Sequence, residues 1–362
     1  MRQWLVPNKV PRRRRRRTDG GYPSIQWETL NTLKTMSRTL QEQLVHFLSD
    51  MYSVEQQALA QLVSAPDIAG DPALAEDFRV HLAETEKQAD LIRERLEAHG
   101  GTPSTIKDAI MKLGGKGFLL FARVMPETPG RLVAHAYSYE AMEFAGYEML
   151  IRFAEQAGDV KTVAVGMEIR DEERTMMERL EAGFDAAEAS SHRGLEAKDF
   201  VGDLRKHLGE VHALENQSIK LLGKGEQIAG DPELSRTCRE QLERSQRHAR
   251  LIEDRLAAMS GEPSGVKDAA LGLGGLNWAF FFSAQSDTPA KLAAFAYAYV
   301  HLKIGGYELL KRTASRSGDA ATVQLCESLI SDERAMAEQL AAVFDSAIEA
   351  TLAEVEAVPE KV

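Results

Sequence analysis

Cysteine is almost missing from this chain: Cys238 and Cys326 are its two examples in 362 residues. Neither has a partner at motif spacing, so no disulfide framework or thiolate metal site is expected. Both thiols read as small buried apolar groups, and a reducing cytoplasmic setting fits. Long hydrophobic runs are missing too, since the longest, FLLFA and WAFFF, fall far short of a membrane span. Period-2 alternation bounded by turn residues is likewise absent, which argues against strands.

What remains is an ordinary globular composition, 44% hydrophobic and 27% charged, in a chain long enough for two domains with cores of their own. The formal charge of −11 is unevenly spread. Residues 1–35 hold nine Lys/Arg and two Asp/Glu, leaving 44 − 9 = 35 basic and 55 − 2 = 53 acidic residues elsewhere, a net of −18. An acidic body argues against nucleic acid or an anionic membrane surface as its main partner. The six arginines Arg12–Arg17 have no apolar stretch behind them, so no export signal is supported, and residues 1–36 are expected to form a disordered basic tail. MSRTLQEQL, from Met36, reads as a natural beginning.

Shifting the chain by 160 residues brings it into register with itself without a gap. IAGDP at 68–72 meets IAGDP at 228–232, PSTIKDA at 103–109 meets PSGVKDA at 263–269, and GYEML at 146–150 meets GYELL at 306–310. A repeat this long is a duplicated domain, placed at 37–190 and 199–350, with 351–362 as a tail. In the first copy helix A is expected over about 37–64 and helix B over 71–99, with Asp71 as N-cap and Pro72 at the first helical position. A Gly-rich helical segment follows. Helix C starts at Thr128-Pro129 and ends near Gly158, and Asp159 starts helix D. Four amphipathic helices with one longer B–C connection form the ferritin-like plan, so the fold class is all-α, two tandem four-helix bundles.

Placing residues at 100° steps puts carboxylates inside the apolar stripes. Glu55 lies within the helix A stripe of Leu44, Phe47, Met51, Ala58 and Leu62. Glu140 and Glu143 share the helix C face with Tyr147 and Leu150. Glu173 is central on helix D among Ile169, Met176, Leu180 and Phe184. On helix B, His81 and Gln88 fall just off the centre of Phe78, Leu82, Thr85, Ala89 and Ile92, and Glu84 falls at the edge. Buried carboxylates must be neutralised, paired or bound to metal, and carboxylate-rich sites with an imidazole suit iron or manganese. The candidate ligands are therefore Glu55, His81, Glu84, Glu140, Glu143 and Glu173.

The second copy keeps Glu215 and Glu333 but has Val300, Lys303 and Arg244 where the first has Glu140, Glu143 and Glu84. A Glu215–Lys303–Glu333 network, with Arg244 or His248, would neutralise that core without metal, making the second domain structural. Tyr137 and Tyr147 recur as Tyr297 and Tyr307 in this copy, so packing with a satisfied hydroxyl accounts for them. Met167, Met176 and Met177 read as core filler, and WAFFF as a cover for one bundle end.

DMYSVEQQ, HLAETEKQADLIRERL, SYEAMEFAGYEML and RDEER resemble the four helix signatures of the YciF-like ferritin-like family, a bacterial group associated with stress responses. The resemblance covers roughly residues 38–350. It implies a di-iron centre and a tendency to dimerise. The family pattern also has His one position after the first helix C glutamate and four after the helix B glutamate. Here Ala141 and Gln88 stand in the first copy, and His301 and His248 in the second. The expected function is a dinuclear iron or manganese site in the first domain reacting with oxygen or peroxide, with Glu55 and Glu173 terminal, Glu143 bridging, and Glu140, His81 or Glu84 completing the shell. The alternative is a metal-free helical scaffold or interaction protein. Two bundles packed together like a homodimer are expected from the duplication.

Overall fold

The computed structural model describes residues 39–103, 128–196, 199–260 and 288–356. Every regular element among them is a helix, and none is long and apolar enough to cross a membrane. The basic N-terminal segment, the Gly-rich segment after helix B and the WAFFF run lie outside the described residues.

The first bundle comprises α1 (Leu40–Leu62), the short α2 (Ala65–Ile68), α3 (Pro72–Ala98), α4 (Thr128–Gln156) and α5 (Val160–Ser191). Three of the long helices start at a side-chain cap. Thr39 and Glu42 form a capping box at α1. Asp71 caps α3 through the amides of Ala73 and Leu74, ahead of Pro72. Asp159 caps α5 through the amide of Thr162, after a turn in which Gly158 takes φ 69°, where a side chain would be strained. The second bundle repeats the plan with α6 (Phe200–Ile228), α7 (Pro232–Ser260), α8 (Thr288–Ser317), α9 (Ala320–Ala342) and α10 (Phe344–Glu356). Phe78, Phe153 and Phe184 are wholly buried, each worth about 1.5–3 kcal/mol of burial.

The bundles meet where α4 runs antiparallel to α8, and residues 37–362 form one compact unit. Ser138 Oγ donates to the carbonyl of Ala298, its own repeat equivalent, at 2.8 Å. Gly305 lets the backbones close, because a Cβ there would stand 3.0 Å from that of Ala134. Arg152 pairs with Asp345 and Arg312 with Asp185, two contacts that a shift of 160 residues interchanges. The seam is thus an intramolecular pseudo-twofold interface.

Two expectations need correction. Helix α10 runs past residue 350, and Thr351 is buried with its hydroxyl accepting from the Ala290 amide at 3.2 Å, so the chain is not a tail from residue 351. Met167 is exposed and fills no core, whereas Met176 is buried.

Candidate metal centre

Helical spacing aims four long helices at one point. Glu55 on α1, His81 on α3, Glu140 and Glu143 on α4 and Glu173 on α5 are all buried. One ligand atom from each of His81, Glu140, Glu143 and Glu173 lies within 4.8 Å of all the others. His81 is the pivot. Its Nε2 reaches Glu140 Oε2 at 3.0 Å and Glu173 Oε2 at 3.6 Å, and its Nδ1 reaches Glu84 Oε2 at 3.3 Å. Glu84 therefore sits behind the imidazole, outside the close group. Glu55 is also outside that group of four, tied down by the Tyr147 hydroxyl, which donates to its Oε1.

The unsatisfied atoms define what the site needs. Glu55 Oε2, Glu143 Oε1 and both oxygens of Glu173 are buried with no hydrogen-bond partner. Orphaned buried polar atoms are rare and costly, so four around one point call for a ligand or for protons. Burial, opposed in part by the Tyr147 hydrogen bond, raises Glu55 to about 8. Burial and then neighbouring carboxylates push Glu143 well above its ordinary value. Burial also raises Glu173, against the pull of His81. Glu140 goes the other way, because the charge and hydrogen bond of His81 outweigh burial. Burial disfavours the imidazolium, but Glu140 and Glu173 hold His81 well above its usual range. Without metal the core is one ion pair and three carboxyls that favour protons.

The equivalent place in the second bundle is closed. Lys303 Nζ donates to Glu333 Oε1 at 2.7 Å, Ser245 Oγ at 3.1 Å and Glu215 Oε2 at 3.4 Å, all wholly buried. His248 Nδ1 lies 3.1 Å from Glu333 and 3.4 Å from Glu215. Val300 fills the place of Glu140. Arg244 takes no part; it donates to the Asp332 carbonyl.

The positions where the resemblance leads one to expect histidine divide. Gln88 is in the core, but its Nε2 turns to Glu172 at 3.0 Å. Ala141 is buried, and its counterpart His301 lies against Tyr137 and Tyr297, with ring centroids 5.3 and 4.4 Å away, in the seam between the bundles. That position serves the interface. Sequence reasoning missed the Tyr147 to Glu55 bond; the recurring GYE of both copies was the available signal, since Tyr307 donates to Glu215 in the same way.

A family model described as Domain of unknown function (DUF892) matches the chain twice, at residues 39–190 and 203–353. Protein YciF of Escherichia coli (strain K12) is 29% identical over 145 residues, 38% of this chain and 85% of that protein. The YciF-like resemblance and the duplicated all-α architecture are borne out. No solved structure gives a significant match.

Proposed function

The chain belongs to the DUF892 family, and from that premise we propose that its first bundle holds a dinuclear iron or manganese centre while its second bundle is structural. The observation that carries this reading is the set of four partnerless carboxylate oxygens on Glu55, Glu143 and Glu173, gathered from three helices beside a single imidazole. Four carboxylates balance two divalent cations, and all-oxygen donors with one nitrogen suit iron or manganese.

His81, Glu140, Glu143 and Glu173 would hold the ions, with Glu55 at the margin. Bound there, such ions supply one-electron chemistry toward oxygen or peroxide, in keeping with a stress-response role. The chain supplies the rest. Glu84 accepts from Nδ1 of His81, so that Nε2, once its proton leaves, offers its lone pair inward; Glu84 is thus an orienting residue. Tyr147 fixes one oxygen of Glu55 and leaves the other free to ligate. Burial of Glu55, His81, Glu140, Glu143 and Glu173 keeps bulk water from the cluster.

Metal content after anaerobic loading with Fe(II) or Mn(II) tests the reading. About two ions per chain are expected, lost in Glu143→Gln and retained in Lys303→Ala. A second reading, a metal-free scaffold, draws on the raised carboxyls: with Glu55, Glu143 and Glu173 protonated, the first core is neutral by itself. Under it no sample binds metal and melting is indifferent to chelators.

A further inference from the structure

Gln88 links the buried core to a group of charged residues at the surface. Its side chain is fully buried, its Nε2 donates to Glu172 Oε2 at 3.0 Å, and its Oε1 is buried with no hydrogen-bond partner. Glu172 precedes Glu173 on α5 and keeps 26% of its side chain exposed, so it reaches solvent. Glu168, one turn earlier on α5, is half exposed. Lys87, the neighbour of Gln88 on α3, spans the two, with Nζ 2.6 Å from Glu168 Oε1 and 3.5 Å from Glu172 Oε1. A mouth of two carboxylates is thus held by one ammonium on its outer side and one amide on its inner side.

This mouth is in electrostatic reach of the core. Burial is the largest cause of the raised Glu55, but the charge of Glu172 also contributes to it. The second bundle shows what position 88 spans. There its repeat equivalent, His248, lies 3.1 Å from Asp332 through Nε2, and through Nδ1 it lies 3.1 Å from Glu333 and 3.4 Å from Glu215. Asp332 is the equivalent of Glu172, and Glu333 and Glu215 are those of Glu173 and Glu55. One side chain at this position therefore stands between the surface carboxylate and the core carboxylates.

The same comparison shows a mouth that is sealed. In the second bundle Glu168 becomes Ser328 and Lys87 becomes Arg247, which donates to Asp332 Oδ2 at 3.0 Å, while Arg244 takes the Asp332 carbonyl. Burial disfavours the imidazolium of His248, but Glu215 and Glu333 raise it to about 9. The bundle whose core is filled by Lys303 thus has cations across its approach as well. The first bundle has an extra carboxylate there and a neutral amide in place of the imidazole. Glu84, a second partly exposed carboxylate at the core's edge, offers no such passage: the His81 ring stands between it and Glu140, and Arg179 lies 3.9 Å from it.

We propose that Glu168 and Glu172 receive divalent cations from solvent and that the Gln88 amide is the gate through which they pass to the carboxylate core. The proposal rests on the metal-centre reading and adds a path to it. An arriving ion displaces the Lys87 ammonium from the two carboxylates, where the charge attracts it. Gln88 then exchanges ends: Nε2 holds Glu172 while no cation is present, and Oε1, which has no partner in the closed state, is the end that a cation prefers. The terminal amide torsion of glutamine is soft, so this turn needs no backbone movement. Gln88 and Glu172 act on passage, and the final ligands are unchanged.

Timed uptake of Mn(II) by the full chain tests this, followed by loss of the free-ion electron paramagnetic resonance signal, with final content counted by mass spectrometry. Wild type should take up about two ions per chain. Glu168→Gln with Glu172→Gln should reach the same content about 10-fold more slowly at low ionic strength, with the gap narrowing as salt is added. Glu76→Gln with Glu97→Gln removes two charges elsewhere on α3 and should leave the rate unchanged. Gln88→Ala should speed both uptake and removal by a chelator by about 10-fold, the worth of one hydrogen bond to a charged group, again with unchanged content. Full content with equal rates in wild type and the Glu168→Gln, Glu172→Gln protein would overturn the route and leave the metal centre standing. A lower final content in Gln88→Ala would make Gln88 a ligand and overturn the gate. No manganese in wild type at equilibrium would refute the metal centre itself, and the route with it.

Discussion

Replacing Lys303 by methionine asks whether the second bundle carries its own cation. The ammonium is wholly buried and bonded to Glu333, Ser245 and Glu215. Burial works against its charge, but Glu215 and Glu333 together hold Lys303 above the usual lysine range. Its stabilising contribution is therefore complete below the unfolded value of about 10.4 and is lost only as pH rises through the higher folded value. Methionine keeps most of the stem and removes the charge, leaving two buried carboxylates facing the His248 ring. Removing one partner of a buried ion pair costs roughly 3–5 kcal/mol. With a urea slope of about 2 kcal/mol/M, the midpoint of the second bundle should fall by about 2 M. Urea unfolding followed by circular dichroism measures this, and hydrogen exchange assigns the early transition to residues 200–356. Adding Glu333→Gln to Lys303→Met should recover part of the loss, because one unpaired charge disappears with it. A midpoint shift below about 0.5 M would mean that water or a rotated side chain replaces the ammonium at little cost, and the built-in cation would be refuted.

Three further outcomes follow from the same geometry. Raised carboxyls bind more protons folded than unfolded, so metal-free protein should lose stability as pH rises from the ordinary glutamate value of 4.5 through the value of about 8 at Glu55; a melting temperature that rises over that interval with chelator present would contradict the assignment. Tyr147→Phe and Tyr307→Phe each strip a buried carboxylate of its hydroxyl donor and should each cost about 1–3 kcal/mol in denaturant unfolding, while only Tyr147→Phe should also weaken iron or manganese binding. Val300→Glu with Lys303→Glu gives the second bundle the four carboxylates of the first, with Gln241 in the place of His81 and His248 beside Glu215 and Glu333 as the one imidazole, and loading with Mn(II) should raise the metal content by about two ions per chain; unchanged content would show that the carboxylate positions are not sufficient.

Much of the fold was legible because its signals are local. Asp71-Pro72 and Asp159 announce two helix starts through capping chemistry, and the exact repeat turns one bundle into two. The inward carboxylates were legible for a related reason: helical angle alone sorts Glu173 from Glu172. Angle fails where neighbours compete for the same edge. His81 and Glu84 lie one turn apart on α3, and only packing decides that His81 enters the cluster and Glu84 buttresses it. It fails again on α4, which buries two faces, one toward the carboxylates and one toward α8, so Ala141 reads as peripheral from its own bundle although it is buried. Arg244 was legible as a nearby cation but not as one that turns away to the Asp332 carbonyl.

On the proposed reading, the two bundles face one electrostatic problem and differ in where the compensating charge comes from. Tyr147 and Tyr307 bind Glu55 and Glu215 identically, which makes the hydroxyl part of the scaffold common to both. Divergence begins one helical turn away, where Glu143 is replaced by Lys303 and Glu140 by Val300. In a homodimer any such change would strike both sites at once. Covalent duplication removes that constraint: one copy can exchange external cations for a lysine while the other keeps its carboxylates. The asymmetry lies across the pseudo-twofold axis marked by Ser138 and Ala298. A fused chain can therefore carry two different cores, one rich in carboxylates and one closed by Lys303, a combination that a symmetric pair of identical subunits cannot reach.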